Sequence, residues 1–196
     1  MVQKILDVPY YEQQDTETCG AVCVKMAVEA IKGDTATEAV LFTETHSPEW
    51  GGSSPEKIAG TLKERGGPPA STVVVAAKTG TTAEAELVRR LIWSIRDAGV
   101  PAIALVALSQ HSFTGDGHWV VVAGYEADRH PTGPDDAQCT VAALHMNNPL
   151  KAGDQVYPQH VTYQAWRRRY MKPVGSKYED YVGSVVAVAA GTLSSA

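Results

Sequence analysis

The sequence predicts an α+β fold, and three observations carry that prediction. First, apolar residues at Cys19, Val22, Cys23, Met26, Ala27, Ala30 and Ile31 recur at i, i+3, i+4, i+7, i+8, i+11 and i+12, which is one face of a helix. Second, two more helix starts follow, at Ser54-Pro55 and at Thr81-x-x-Glu84. Third, the later part of the chain changes character. Short apolar runs separated by polar turns (Pro101 to Leu108, His118 to Tyr125, Gln138 to Met146) replace the helical period, and their order predicts antiparallel hairpins. Helices that lead and strands that follow make an α+β layout.

Each element has a local reason. Leu6 to Tyr11 reads as an extended lead-in fixed by Pro9. Thr18 is a good N-cap for the helix beginning at Cys19, and Gly33 is its natural stop. Glu44 to Ser54 is turn-rich. Ser54-Pro55 opens a second helix, with Pro at the first helical position, that runs to about Arg65 and stops at Gly66-Gly67. Thr72 to Ala77 is a β-branched run that reads as a strand. The capping box at Thr81 and Glu84 starts a helix to Ala98, closed by Gly99. After the runs at Pro101 and His118, Asp128 to Asp136 holds two prolines, a glycine and three aspartates and reads as an exposed turn. Gln138 to Met146 returns as a strand that Asn147-Asn148-Pro149 ends. Thr162 to Tyr170 reads as a short helix carrying Trp166 and a basic cluster, Arg167 to Arg169. Val182 to Ala190 reads as a last strand.

Composition narrows the function classes. At 196 residues, 44% hydrophobic and 20% charged, residues 1–196 form a single globular domain. A net charge of −5 argues against a nucleic-acid partner. No apolar run reaches the ~18 residues needed to span a membrane, and Met1 to Tyr11 lacks the apolar core of a signal peptide. Three cysteines in a chain of this size read as reduced thiols, which places the protein in the cytoplasm. His46, His111, His130, His145 and His160 are scattered, and no C-x2-C occurs, so neither a metal nor another cofactor is expected.

The chemistry concentrates around Cys19. A thiol in the first turn of a helix feels free backbone N–H groups and the positive end of the helix dipole, both of which favour the nucleophilic thiolate. Gln13, six residues upstream in a polar loop, can return an amide donor to it. Gln13-x5-Cys19-Gly20 ahead of an apolar helix resembles the papain-like cysteine peptidases. The longer pattern Val8-Pro9-Tyr10-Tyr11-x-Gln13-x5-Cys19-Gly20-x-x-Cys23 is most similar to their C39-like branch, which includes the leader peptidases that cut bacteriocin precursors after a double glycine. The segment from Gly51 to Gly66, Gly99-Val100-Pro101 and Gly117-His118-Trp119-Val120-Val121-Val122-x-Gly124-Tyr125 are similar to that branch too. So is Asn148-Pro149, where the family usually has Asp-Pro.

The resemblance implies a papain-like fold: an N-terminal catalytic helix packed against an antiparallel half-barrel-like sheet, with the site in the cleft between them. It implies His118 as base, at the start of its strand, and Asn148 as the group orienting that base, with Asn147 as rival. It implies Gln13 as oxyanion donor, with Gln14 as rival. The neutral Asn and the spacing of 30 residues (148 − 118) both depart from the family pattern, and the Asp128–Asp136 turn absorbs the extra length. A helix-N-terminal thiol beside an imidazolium predicts a charged pair over about pH 5 to 8. Cys23, one turn on along the same face, reads as a core thiol, and Cys139 as packing within a strand. The partner implied is a peptide or protein substrate, with any transporter or biosynthetic partner a separate chain. Peptide hydrolysis through a thioester, acyl transfer to an amine from the same thioester, and a non-catalytic peptide-binding module on the same fold remain the three readings.

Overall fold

A computed structural model describes residues 1–66, 72–74, 82–107, 117–150, 156–170 and 185–188. The chain opens with β1 (Val2–Ile5), followed by α1 (Cys19–Lys32) and α2 (Glu38–Thr45). A two-residue ladder, β2 (His46–Ser47) with β3 (Gly52–Ser53), leads to α3 (Pro55–Glu64) and β4 (Thr72–Val74). Then come α4 (Thr82–Trp93), β5 (Ala102–Ala107), β6 (Gly117–Ala127), β7 (Val141–Asn147), β8 (Gln159–Thr162), α5 (Tyr163–Ala165) and β9 (Val185–Val188). Seven of these strands form one antiparallel sheet in the order β4-β9-β5-β6-β7-β8, with β1 paired to the far half of β6. Mixed helices around an antiparallel half-barrel sheet are the expected architecture.

The near-continuous apolar runs have a simple cause: the sheet is buried on both faces. Along β6, Val120 and Val122 enter one core with Leu87, Leu91, Ile92 and Ile95, while Trp119, Val121 and Ala123 enter the other with α1. The first core also takes Leu144 and Met146 of β7 and the fully buried Trp166. The second takes Val22, Cys23, Met26 and Ala27 of α1, Leu41 of α2 and Ile58 and Leu62 of α3. Each fully buried aliphatic side chain contributes about 1.5–3 kcal/mol of transfer free energy, so α1 is fixed chiefly by its packing.

Several local expectations hold. Gly33 is left-handed (φ 69°) and its N–H donates to the Glu29 carbonyl, ending α1. Ser54 caps α3 by accepting from the Lys57 N–H, with Pro55 first in the helix. β5 and β6 form the expected hairpin.

Others are corrected. Thr18 precedes α1 but makes no side-chain cap; its hydroxyl donates instead to the Asp15 carbonyl at 2.9 Å. The lead-in begins earlier, as β1. The glycine it faces, Gly124, leaves no room for a Cβ, which would lie 2.7 Å from the Lys4 carbonyl oxygen. The turn-rich stretch starts inside α2, whose N-cap Thr37 accepts from the Val40 N–H. The helix beginning at Thr82 continues as a π-helical turn, Ser94–Ala98, before Gly99 closes it. β8 was not anticipated, and the helix after it is short, Tyr163–Ala165, continuing as a π turn, Trp166–Tyr170. Cys139 lies in the loop before β7 rather than in a strand, with its thiol donating to the Arg129 carbonyl at 3.2 Å. Gly67, the last part of the Thr72–Ala77 run, Thr81, Leu108, His111 and the ends of the Val182–Ala190 run lie outside the described residues.

Candidate active site

Cys19 is the first residue of α1 and is 7% exposed. The backbone N–H groups of Trp119, Gly20 and Cys19 itself lie where they favour its thiolate electrostatically. Cys19 and Trp119 share one buried cluster, which sets the start of α1 against the start of β6, at the residue next to His118. Gly20 explains why the second residue of the helix is glycine. A Cβ there would lie 2.4 Å from both Cβ and Oγ of Ser53 and 3.1 Å from Cδ1 of Trp119. The Trp119 indole N–H in turn donates to the Ser53 carbonyl at 2.9 Å, and Ser53 Oγ donates to Thr45. The short β2–β3 ladder thus locks the helix N-terminus against β6.

His118 and Asn148 meet. Nε2 of His118 lies 2.8 Å from Oδ1 of Asn148, and both residues are buried. Because the Leu150 N–H also donates to Asn148 Oδ1 at 3.0 Å, that atom is an acceptor, and the ring nitrogen must be the donor. The imidazole is therefore held as the Nε2–H tautomer, leaving Nδ1 as its basic nitrogen. The partner strands explain the meeting. Val121 pairs with Asn147, so Asn148 lies just past the ladder, diagonal to His118, on the same side of the pleat as Met146. Asn147 is on the other side, where its Nδ2 donates to the Val8 carbonyl at 3.3 Å.

Gln13 joins from the loop. Its backbone N–H donates to the Pro149 carbonyl at 2.9 Å, tying the loop to the segment that carries Asn148. Its Nε2 donates one hydrogen to the Asp15 carbonyl at 2.6 Å, so a second amide hydrogen remains. Gln14 is exposed, and its N–H is turned away to Glu38 of α2. Cys23 is fully buried in the α1 core.

The electrostatics of the site run against the expected ion pair. Burial pushes the Cys19 thiol up to about 11, outweighing the three N–H donors that act the other way. Burial also pushes the His118 imidazole down to about 4, against the opposing effect of Asn148. Both shifts favour the neutral thiol and the neutral imidazole. The N–H groups at the helix start do favour the thiolate, but desolvation, which follows from packing and not from sequence, outweighs them. Among the described residues, no three His, Cys, Asp or Glu side chains are grouped to hold a metal ion, and no helix is long and apolar enough to cross a membrane.

The supporting contacts were the part the sequence did not reveal. The Pro149–Gln13, Asn147–Val8 and Ser53–Trp119 bonds join residues far apart in the chain, and all three acceptors are backbone carbonyls.

Comparison with known proteins bears on this geometry. The profile described as Peptidase_C39 like family matches residues 5–174. No curated protein matches the sequence at a significant level. Among solved structures, the chain is similar to a double glycine motif protease from an AMS/PCAT transporter, solved in complex with the leader peptide. There the TM-score is 0.54 and the identity 13%, over 95% of this chain and 97% of that one. It is also similar to the peptidase domain of Streptococcus ComA, a bi-functional ABC transporter involved in a quorum sensing pathway. For that domain the TM-score is 0.52 and the identity 15%, over 93% of this chain and 95% of that one.

Proposed function

The chain belongs to the C39-like peptidase family, and from that premise we propose that it is a thiol peptidase in which Cys19, His118, Asn148 and Gln13 act together. The observation that supports the reading best is a pair of hydrogen bonds, His118 Nε2–H to Asn148 Oδ1 and Gln13 N–H to the carbonyl of Pro149 next to Asn148, with Cys19 in one buried cluster with Trp119, the neighbour of His118. In this scheme the Cys19 thiol attacks the scissile carbonyl carbon as its proton passes to Nδ1 of His118. A neutral pair suits such a coupled transfer, because neither charge has to exist in the buried cleft before substrate binds. The oxyanion is met by the Cys19 N–H and the free amide hydrogen of Gln13. The C–N bond breaks, the leaving amine takes the proton from His118, and a thioester remains on Cys19. Water, giving its proton to His118, then releases the acid product and restores the thiol.

The substrate class that fits is a peptide or protein, and a leader or precursor peptide is the specific proposal, supported by the likeness to a protease solved with a leader peptide. Residues 1–196 act as one domain in this reading, with any transporter a separate chain. The three free cysteines fit a reducing compartment, the cytoplasm.

The test is product mass. A peptide library is incubated with the protein, with and without an added amine. Hydrolysed fragments in both samples support the peptidase; amine-capped products at the expense of acids would make it an acyl transferase. No product, together with alkylation of Cys19 no faster than that of Cys23, would leave a peptide-binding module.

A further inference from the structure

Asn147 is 1% exposed, yet only one end of its amide is bonded. Nδ2 donates to the Val8 carbonyl at 3.3 Å, across 139 residues of sequence. Oδ1 is buried with no hydrogen-bond partner among the described residues. For stability alone this is a poor choice of side chain. A buried amide with an unpaired acceptor and one long bond costs desolvation that an apolar residue of the same shape would not. Its neighbours sharpen the point. Three consecutive residues at the end of β7 each hold a different part of the site. Asn147 holds the Val8 carbonyl, Asn148 the His118 ring, and the Pro149 carbonyl the Gln13 N–H. Only four residues separate Val8 from Gln13, and Pro9 stiffens the first of them. The Gln13 amide shows a matching feature. Its Oε1 is buried and has no partner among the described residues, so the amide is set by its Nε2 bond and by the path of its backbone.

Resting on the peptidase reading above, we propose that Asn147 is a positioning residue. By gripping the Val8 carbonyl it fixes the strap from Val8 to Gln13 to the end of β7, so that the oxyanion donor and the base are held in one frame. Asn147 touches neither substrate nor reacting atoms. Its effect passes through the backbone of the strap to the Gln13 amide.

The experiment uses the full chain and Asn147→Leu, which keeps the shape and removes both amide atoms. Three quantities are read: thermal unfolding, kcat and KM on one peptide, and the rate of Cys19 alkylation by iodoacetamide, a reaction that needs no oxyanion hole. Positioning predicts that kcat falls about tenfold to a hundredfold with KM little changed. The unfolding midpoint and the alkylation rate should stay near wild type. In Gln13→Ala, adding Asn147→Leu should cost nothing further, because the grip then has no donor to place. Wild-type kcat in Asn147→Leu, or additive losses in the double variant, would overturn the proposal. So would a fall in alkylation matching the fall in kcat, since the thiol and imidazole would then be what Asn147 serves. If Asn147→Leu does not fold, Asn147→Asp carries the same test, because it removes the donor to Val8 while keeping an acceptor. Failure of the peptidase reading itself looks different: the wild-type chain would then turn over no peptide.

Discussion

The β6–β7 hairpin has two ends, and they treat their polar groups in opposite ways. At the far end, the Asp136 carboxylate accepts from the Thr132 N–H and hydroxyl, the Gln138 N–H and the Arg129 guanidinium, all at 2.7–3.0 Å. Those donors, the Thr132 N–H foremost, hold the carboxyl well below the usual carboxylate range. Asp128 likewise accepts from the N–H groups of Arg129 and Thr140 at 2.8 Å. At the near end, Asn147 Oδ1 and Gln13 Oε1 are buried without partners among the described residues, and burial pushes both Cys19 and His118 toward their neutral forms. One end is built to hold a turn. The other keeps costly polar groups out of water, which is where structures concentrate chemistry.

The largest expected effect is at the near end. Cys19→Ala should abolish peptide cleavage while leaving the circular dichroism spectrum and unfolding midpoint close to wild type, because Ala is an excellent helix former. Cys23→Ala should keep its activity and lose roughly 1 kcal/mol of stability. Equal loss of activity in the two folded variants would mean that the nucleophile is misassigned.

Next comes Asn148. Freeing the His118 ring in Asn148→Ala should lower kcat about tenfold to a thousandfold, or roughly 1.4 to 4 kcal/mol of transition-state stabilisation. Asn148→Asp keeps the acceptor and should retain activity. Steady-state kinetics of both variants on one peptide decide it; an active Asn148→Ala would reduce the site to a dyad.

The neutral pair makes a prediction in pH. The folded His118 titrates at about 4 rather than 6.5, so the unfolded chain binds more protons between those values. Its contribution to stability is present above pH 6.5 and is lost as pH falls toward 4. Cys19 acts with the opposite sign. Raised from 9 to about 11, it contributes stability below pH 9 that is lost as pH rises through 11. Unfolding midpoints of wild type and His118→Gln across acid pH test this, and the variant should lose the steeper part of the acid decline. Thiolate ultraviolet absorbance should likewise appear only well into alkaline pH; absorbance at neutral pH that Cys19→Ala removes would restore the ion pair.

The smallest effect on catalysis belongs to the far end. Asp136→Ala should lower the unfolding midpoint, since it frees four donors, yet leave kcat unchanged in the folded protein. A fall in kcat at unchanged stability would mean that the two ends are coupled through the hairpin.

The same contrast explains what could be read from the sequence. Period and punctuation located α1, α3 and the strands from β5 to β7, because a sheet buried on both faces writes continuous apolar runs and glycines write helix ends. Cys19, His118, Asn148 and Gln13 were legible as residue types at a spacing. β1 and β8 were not: both are four-residue strands that exist through their pairing partners. The charge state was not legible either, because the helix dipole follows from the sequence while the desolvation of Cys19 and His118 follows only from tertiary burial. Nor was the bond made by Asn147, whose partner is a backbone carbonyl that any residue at position 8 would offer.

One measurement bears most directly on the account. The protein is mixed with a peptide substrate, quenched in acid during turnover, digested and weighed by mass spectrometry. The account predicts an acyl adduct on the peptide carrying Cys19, labile to hydroxylamine as a thioester is, and absent in Cys19→Ala. Turnover that continues in Cys19→Ala, or an adduct that maps to Cys23 or Cys139, would contradict it.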